Sequence, residues 1–145
     1  MKNRIQRMRA GLVMVAAVLV MAACGEEAKR ATSARVVVDV DSTDPVHLVV
    51  STNFDMLLND DGFSTSPFFR NTDSLSLTSQ YDETYALSTD SPKFYAQVKN
   101  ESANPEQVRM RVFLDGVEAY DVTATMANGG NLEYIYQYQS PNSGR

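Results

Sequence analysis

The chain has 145 residues, 18 acidic and 13 basic side chains, a net charge of −5 and a single cysteine. That length fits one domain of ordinary size, an acidic balance argues against nucleic acid and anionic lipid as partners, and one cysteine rules out an internal disulfide framework. Seven Tyr and six Phe without any Trp suit a protein built from strands.

Residues 1–23 have the three parts of a secretory signal. Lys2, Arg4, Arg7 and Arg9 form a basic start, Ala10 to Val20 is free of charge, and Ala22 and Ala23 are small. The uncharged run from Ala10 to Gly25 is shorter than the roughly 20 apolar residues of a spanning helix. The stretch Met21-Ala22-Ala23-Cys24 resembles the lipobox of bacterial lipoproteins, with Met21 where that family usually has Leu. The resemblance implies diacylglycerol on the Cys24 thiol and cleavage just before it. Gly25, rather than Asp, implies passage toward the outer membrane in a cell with two membranes. The expected location is therefore the cell envelope, anchored on the outer side of the cytoplasmic membrane or in the outer membrane facing the periplasm. The remaining chain carries nine basic against 18 acidic residues, a net charge of −9.

Residues 25–34 are small and charged and read, with Cys24, as a tether. From Arg35 the pattern has period two, the mark of strands with one buried face. Arg35–Asp41 is a first strand and Ser42-Thr43-Asp44-Pro45 a turn by composition. Val46–Phe54 follows, with Val46, Leu48, Val50, Thr52 and Phe54 on one face. Asp55–Asn71 is irregular and is expected to be a long excursion with one helical turn or a short edge strand. Ser74–Tyr81 and Thr84–Ser88 alternate again. Lys93–Lys99 is expected to bury Phe94, Ala96 and Val98 and to expose Tyr95 and Gln97.

The strongest local signal is Gln107–Met126, two alternating runs joined by Asp115-Gly116. That dipeptide favours a type I′ hairpin, because both central residues need positive φ. An unbroken hairpin would place Val112 opposite Ala119, Met110 opposite Asp121 and Arg111 opposite Tyr120, the last as a surface cation–π pair. If Tyr120, Val122 and Ala124 are buried instead, a bulge must intervene. After Asn128-Gly129-Gly130-Asn131, Leu132–Gln139 is the last strand and residues 140–145 a loose tail. About seven short strands spaced by turns predict an antiparallel, immunoglobulin-like β-sandwich over residues 35–139.

Two stretches carry a further resemblance. Phe94, Ala96, Gln97 and Asn100, then Val112, Phe113, Leu114, Asp115 and Gly116, resemble the small β-sandwich domain of MmpS-type mycobacterial proteins and of many short bacterial lipoproteins. The resemblance implies a periplasmic accessory domain, partnered in mycobacteria with a large transporter.

The candidate sites are few. His47, the sole histidine, alternates with Val46 and Leu48 and should face solvent or a polar sheet face. A Ser-His-Asp hydrolase would have to run through it, without a Gly-x-Ser-x-Gly elbow. A lipidated Cys24 removes Cys–His catalysis. Asp55, Asp60 and Asp61 with Asn53 and Asn59 do not match the spacing of a calcium loop, and read as a solvated turn. No catalytic set, metal site or cofactor other than the covalent lipid is expected. Tyr134, Tyr136 and Tyr138 form a stripe that either stacks on a glycan or small apolar ligand or, with Leu132, faces the core. The expected function is a lipid-anchored, non-enzymatic envelope module partnered with an envelope protein or transporter. The alternative is a ligand-binding lipoprotein using the Tyr stripe or residues 55–71.

Overall fold

The computed structural model describes residues 30–138. Those residues form eight strands: β1 (Ser33–Val40), β2 (Val46–Leu58), β3 (Thr65–Leu77), β4 (Tyr81–Ala86), β5 (Lys93–Asn100), β6 (Glu106–Leu114), β7 (Val117–Met126) and β8 (Asn131–Gln137). All pairings are antiparallel. One sheet has the order β4-β1-β6-β7 and the other β3-β2-β5-β8. The two pack face to face as the expected antiparallel β-sandwich, with eight strands where about seven were expected. Only the β2–β3 and β6–β7 connections stay within a sheet; the other five cross to the opposite one.

The period-two pattern explains the core. Val36, Val38 and Val40 from β1, Val46, Leu48 and Val50 from β2, Phe94, Ala96 and Val98 from β5, and Val108, Met110 and Val112 from β6 share one buried cluster. These are the four central strands, and β-branched side chains pack well on a pleated surface. The first strand starts earlier than expected. Ala31 and Ala34 are buried, and the Thr32 and Ser33 amides donate to Asp115 Oδ1 at 2.9 Å. The end of the supposed tether is thus docked on the domain.

The 115–116 turn forms as expected, with φ of 48° at Asp115 and 81° at Gly116. Its strands do not run unbroken. Leu114 faces Val117 and Phe113 faces Glu118, but Val112 then faces Tyr120 and Met110 faces Val122. Ala119 is an extra residue, a bulge that turns Tyr120, Val122 and Ala124 toward the core. Arg111 consequently lies opposite Asp121 and not Tyr120, and its guanidinium reaches Asp39 at 2.9 Å. The cation–π contact in this sheet is Arg35 on Phe113, at 5.6 Å.

A second break corrects the reading of β2. Its pairing with β3 shifts between Val50 and Phe54. The Ser51 hydroxyl fills the gap, donating to the Asn71 carbonyl at 2.6 Å and accepting from the Asn53 amide at 3.1 Å. Beyond the break Phe54 no longer shares the face of Val46, Leu48 and Val50. It lies on the outer face of the sheet with Phe69 and Tyr95, in a cluster separate from the main core. Tyr95, expected to be exposed, is only 3% so.

The irregular stretch Asp55–Asn71 holds the expected edge strand, but as part of the much longer β3. It contains no helical turn; it is the distal half of the long β2–β3 hairpin, whose strands run to Leu58 and from Thr65. Pro67 sits in β3 opposite Met56, tolerable because β3 is an edge strand. The segment expected as one strand over Ser74–Tyr81 is split, since β3 ends at Leu77 and Tyr81 opens β4.

Candidate functional site

Two of the three stripe tyrosines, Tyr134 and Tyr136 of β8, face into the fold, and Tyr138 lies just beyond the strand. Tyr134 lies opposite Ala96 and Tyr136 opposite Phe94, and both pack against the core. The Tyr134 ring meets Tyr120 of β7 at 5.5 Å and 56°, across the seam between the sheets. Burial raises the phenol pKa of both. The Tyr136 hydroxyl accepts the Ala31 amide at 2.9 Å, and Arg30 lies 5.7 Å from the Tyr138 ring centre. The stripe therefore closes one seam and pins the start of the domain.

His47 lies on the outer sheet face opposite Ser76 and Lys99. Its Nε2 is 3.4 Å from Glu101 and its Nδ1 is 3.5 Å from the Ser76 hydroxyl. Those are the residue types of a nucleophile, base and acid, at a Ser–His distance longer than the roughly 2.6–3.2 Å of an engaged pair. Glu101 is meanwhile held by Lys99 at 2.9 Å, which keeps its carboxyl below the usual range. The three side chains form an exposed cross-strand row.

The acids of the 53–61 stretch are separated by the fold. Asp55 is occupied by Arg70 at 2.7 Å and Lys93 at 3.1 Å, and these cations depress its pKa. Asp61 accepts the Phe63 and Ser64 amides at 2.9 Å and also binds the Ser64 hydroxyl. Asp39 takes Gln80 and Arg111, while Asp44 takes Asn104 at 2.9 Å. Among the described residues no group of three or more His, Cys, Asp or Glu is placed to hold a metal ion.

The β2–β3 arm is the feature that sequence reasoning missed. After Ser51, which pairs with Tyr95, β2 has no further partner in β5 and continues with β3 alone. At the base of the arm the Lys93 ammonium donates to the Phe54 carbonyl at 2.8 Å and lies 5.9 Å from the Phe54 ring centre. At the tip, Gly62 has φ of 72° and donates to the Asn59 carbonyl at 2.9 Å, while Asn59 donates to the Ser64 carbonyl at 2.8 Å. This hydrogen-bonded turn presents apolar side chains to water. Phe63 is 95% exposed, Leu58 64%, Phe68 53% and Leu57 50%. The turn signal was present in Asn59-Asp60-Asp61-Gly62; the irregular pattern beyond Pro67 hid the strand.

No family model and no curated protein matches the chain. One solved structure is similar, a DUF4425 family protein from Bacteroides ovatus ATCC 8483. The match has 11% sequence identity and a TM-score of 0.40, and covers 75% of this chain and 95% of that one.

Met21, Ala22, Ala23 and Cys24 lie outside the described residues. Among the described residues no helix is long and apolar enough to cross a membrane.

Proposed function

We propose that this chain is an exported lipoprotein of the cell envelope, anchored through Cys24, whose β-sandwich works by contact and not by turnover. The anchor rests on the Met21-Ala22-Ala23-Cys24 stretch, and the observation that carries the contact role is the arm. Four large apolar side chains, Leu57, Leu58, Phe63 and Phe68, are gathered on one projecting hairpin and left in water. Leu57 and Phe68 fall on one face of the arm and Leu58 on the other, with Phe63 in the turn, and such a concentration of exposed apolar side chains at one tip marks an interaction surface. Ligand binding through the tyrosine stripe has less support, because Tyr134 and Tyr136 pack against the core.

The test has two parts. Cells fed an alkyne analogue of palmitate should label the wild-type protein and not Cys24→Ala. Photocrosslinking from position 63 of the full-length protein in its own membranes should capture a contact, with protein or with lipid, that is lost when Leu58 and Phe68 are changed together to Ser. An unlabelled wild-type protein sinks the anchor. Turnover of an ester or glycoside panel that disappears in His47→Ala sinks the non-enzymatic reading.

A further inference from the structure

We infer that the tip of the β2–β3 arm docks on the bilayer surface that holds the Cys24 lipid, and so fixes the orientation of the sandwich. The inference rests on the proposed lipidation of Cys24 and names what the arm touches.

Position is the first argument. The chain enters the domain at the end of the sandwich from which the arm projects. Ala31 is bonded to Tyr136, Tyr136 lies opposite Phe94, and the adjacent Lys93 holds the Phe54 carbonyl at the base of the arm. The opposite end is built from the polar connections at 41–45, 78–80, 101–105 and 127–130.

Length is the second. Six residues lie between Cys24 and the docked Ala31, and the seven steps from one to the other span at most about 25 Å when fully extended. The arm runs four more β2 residues past Phe54, about 13 Å at the rise of a strand, before its turn. The tether is therefore long enough for the lipid and the tip of the arm to meet the same bilayer surface.

Chemistry is the third. Phe63 and Leu58 lead the tip and Phe68 and Leu57 follow, the residue types that enter the headgroup–acyl boundary. Asp60 and Asp61 flank them, and with the net charge of −9 carried by the residues after 23, nine basic against 18 acidic, this favours a zwitterionic surface over an anionic one. A diacyl anchor already holds the protein to the membrane, so the arm adds orientation and not retention.

The sequence contains no Trp, so Phe63→Trp in the full-length lipidated protein gives a single reporter. Phe63 is almost fully exposed, and the substitution leaves the packing untouched. The protein is reconstituted in phosphatidylcholine vesicles with and without brominated acyl chains. The expected result is blue-shifted emission that the bromines quench, while Ala103→Trp at the opposite end stays red and unquenched. Equal, water-like emission from both reporters overturns the docking. A shift of the tip reporter seen only in native membranes also overturns it, in favour of a protein partner. The intact mass separates the two readings. A protein without diacylglycerol on Cys24 removes the anchor and the docking together; a lipidated protein whose Phe63→Trp indole stays in water removes the docking alone.

Discussion

The Phe69 ring meets Tyr95 edge-on, with 4.7 Å between ring centres and 64° between planes. The contact ties the base of the arm to the outer face of its sheet, where Phe54 completes the cluster. A double-mutant cycle with Phe69→Ala and Tyr95→Ala should return a coupling of about 0.5–1.5 kcal/mol in urea unfolding. A coupling near zero would mean that the rings share a location and nothing more.

Gly116→Ala tests the turn. A Cβ there would meet no atom within 4 Å, so its whole cost is the left-handed backbone, about 1–2 kcal/mol. Asp115→Asn should be milder than Asp115→Ala. Asn tolerates positive φ and keeps an oxygen for the Thr32 and Ser33 amides. Thermal melts of the three variants check the order.

Asn100 is the buried polar centre of the far end of the sandwich. Its side-chain amide donates to the Asn104 and Met126 carbonyls at 2.8 Å, and its oxygen accepts the Ser102 amide at 2.9 Å. Asn100→Ala strands all three groups and should cost about 1–3 kcal/mol for each one that water cannot reach. Asn100→Asp should be worse, because an ionised carboxylate would face two carbonyls. Chemical denaturation measures both.

Acid should weaken the fold through its ion pairs and caps. Asp55 is depressed by Arg70 and then Lys93, Asp82 by Arg35, and Asp121 by Arg109. Asp115 is depressed by its bonds to Thr32 and then Ser33, and Asp61 by those to Ser64 and then Phe63. Each has a folded pKa below the ordinary aspartate value of 3.8. Their contribution is complete above that value and is lost as pH falls through the folded values. The melting temperature should be flat above about pH 5 and fall below it. Combined Arg35→Gln and Arg109→Gln should flatten the decline.

The sandwich was legible because its central strands alternate without interruption. Val36, Val38 and Val40, or Phe94, Ala96 and Val98, announce one buried face wherever they are read. What the pattern left open or hid were the places where one residue changes the parity. Ala119 reads inward in an unbroken hairpin, and the alternative, a bulge that hands that role to Tyr120, is the one that forms. Ser51 looks like an outward polar residue until its hydroxyl takes the place of a ladder bond and turns Phe54 over. The burial of Tyr95 escapes for a related reason, since its cover comes from a hairpin arm that the period of β5 cannot reveal. The lipobox and the arm differ in kind. The first is a local string, whereas the second exists only once β2 and β3 pair.

Residues Ser33–Val40 occupy an interior position, flanked by β4 on one side and β6 on the other. Any pull arriving from the N-terminal side of Arg30 therefore enters the domain at a middle strand. Such a strand cannot be peeled away one hydrogen bond at a time; both of its ladders must shear together. A protein tethered at that end would resist traction along its leash far better than its modest size suggests.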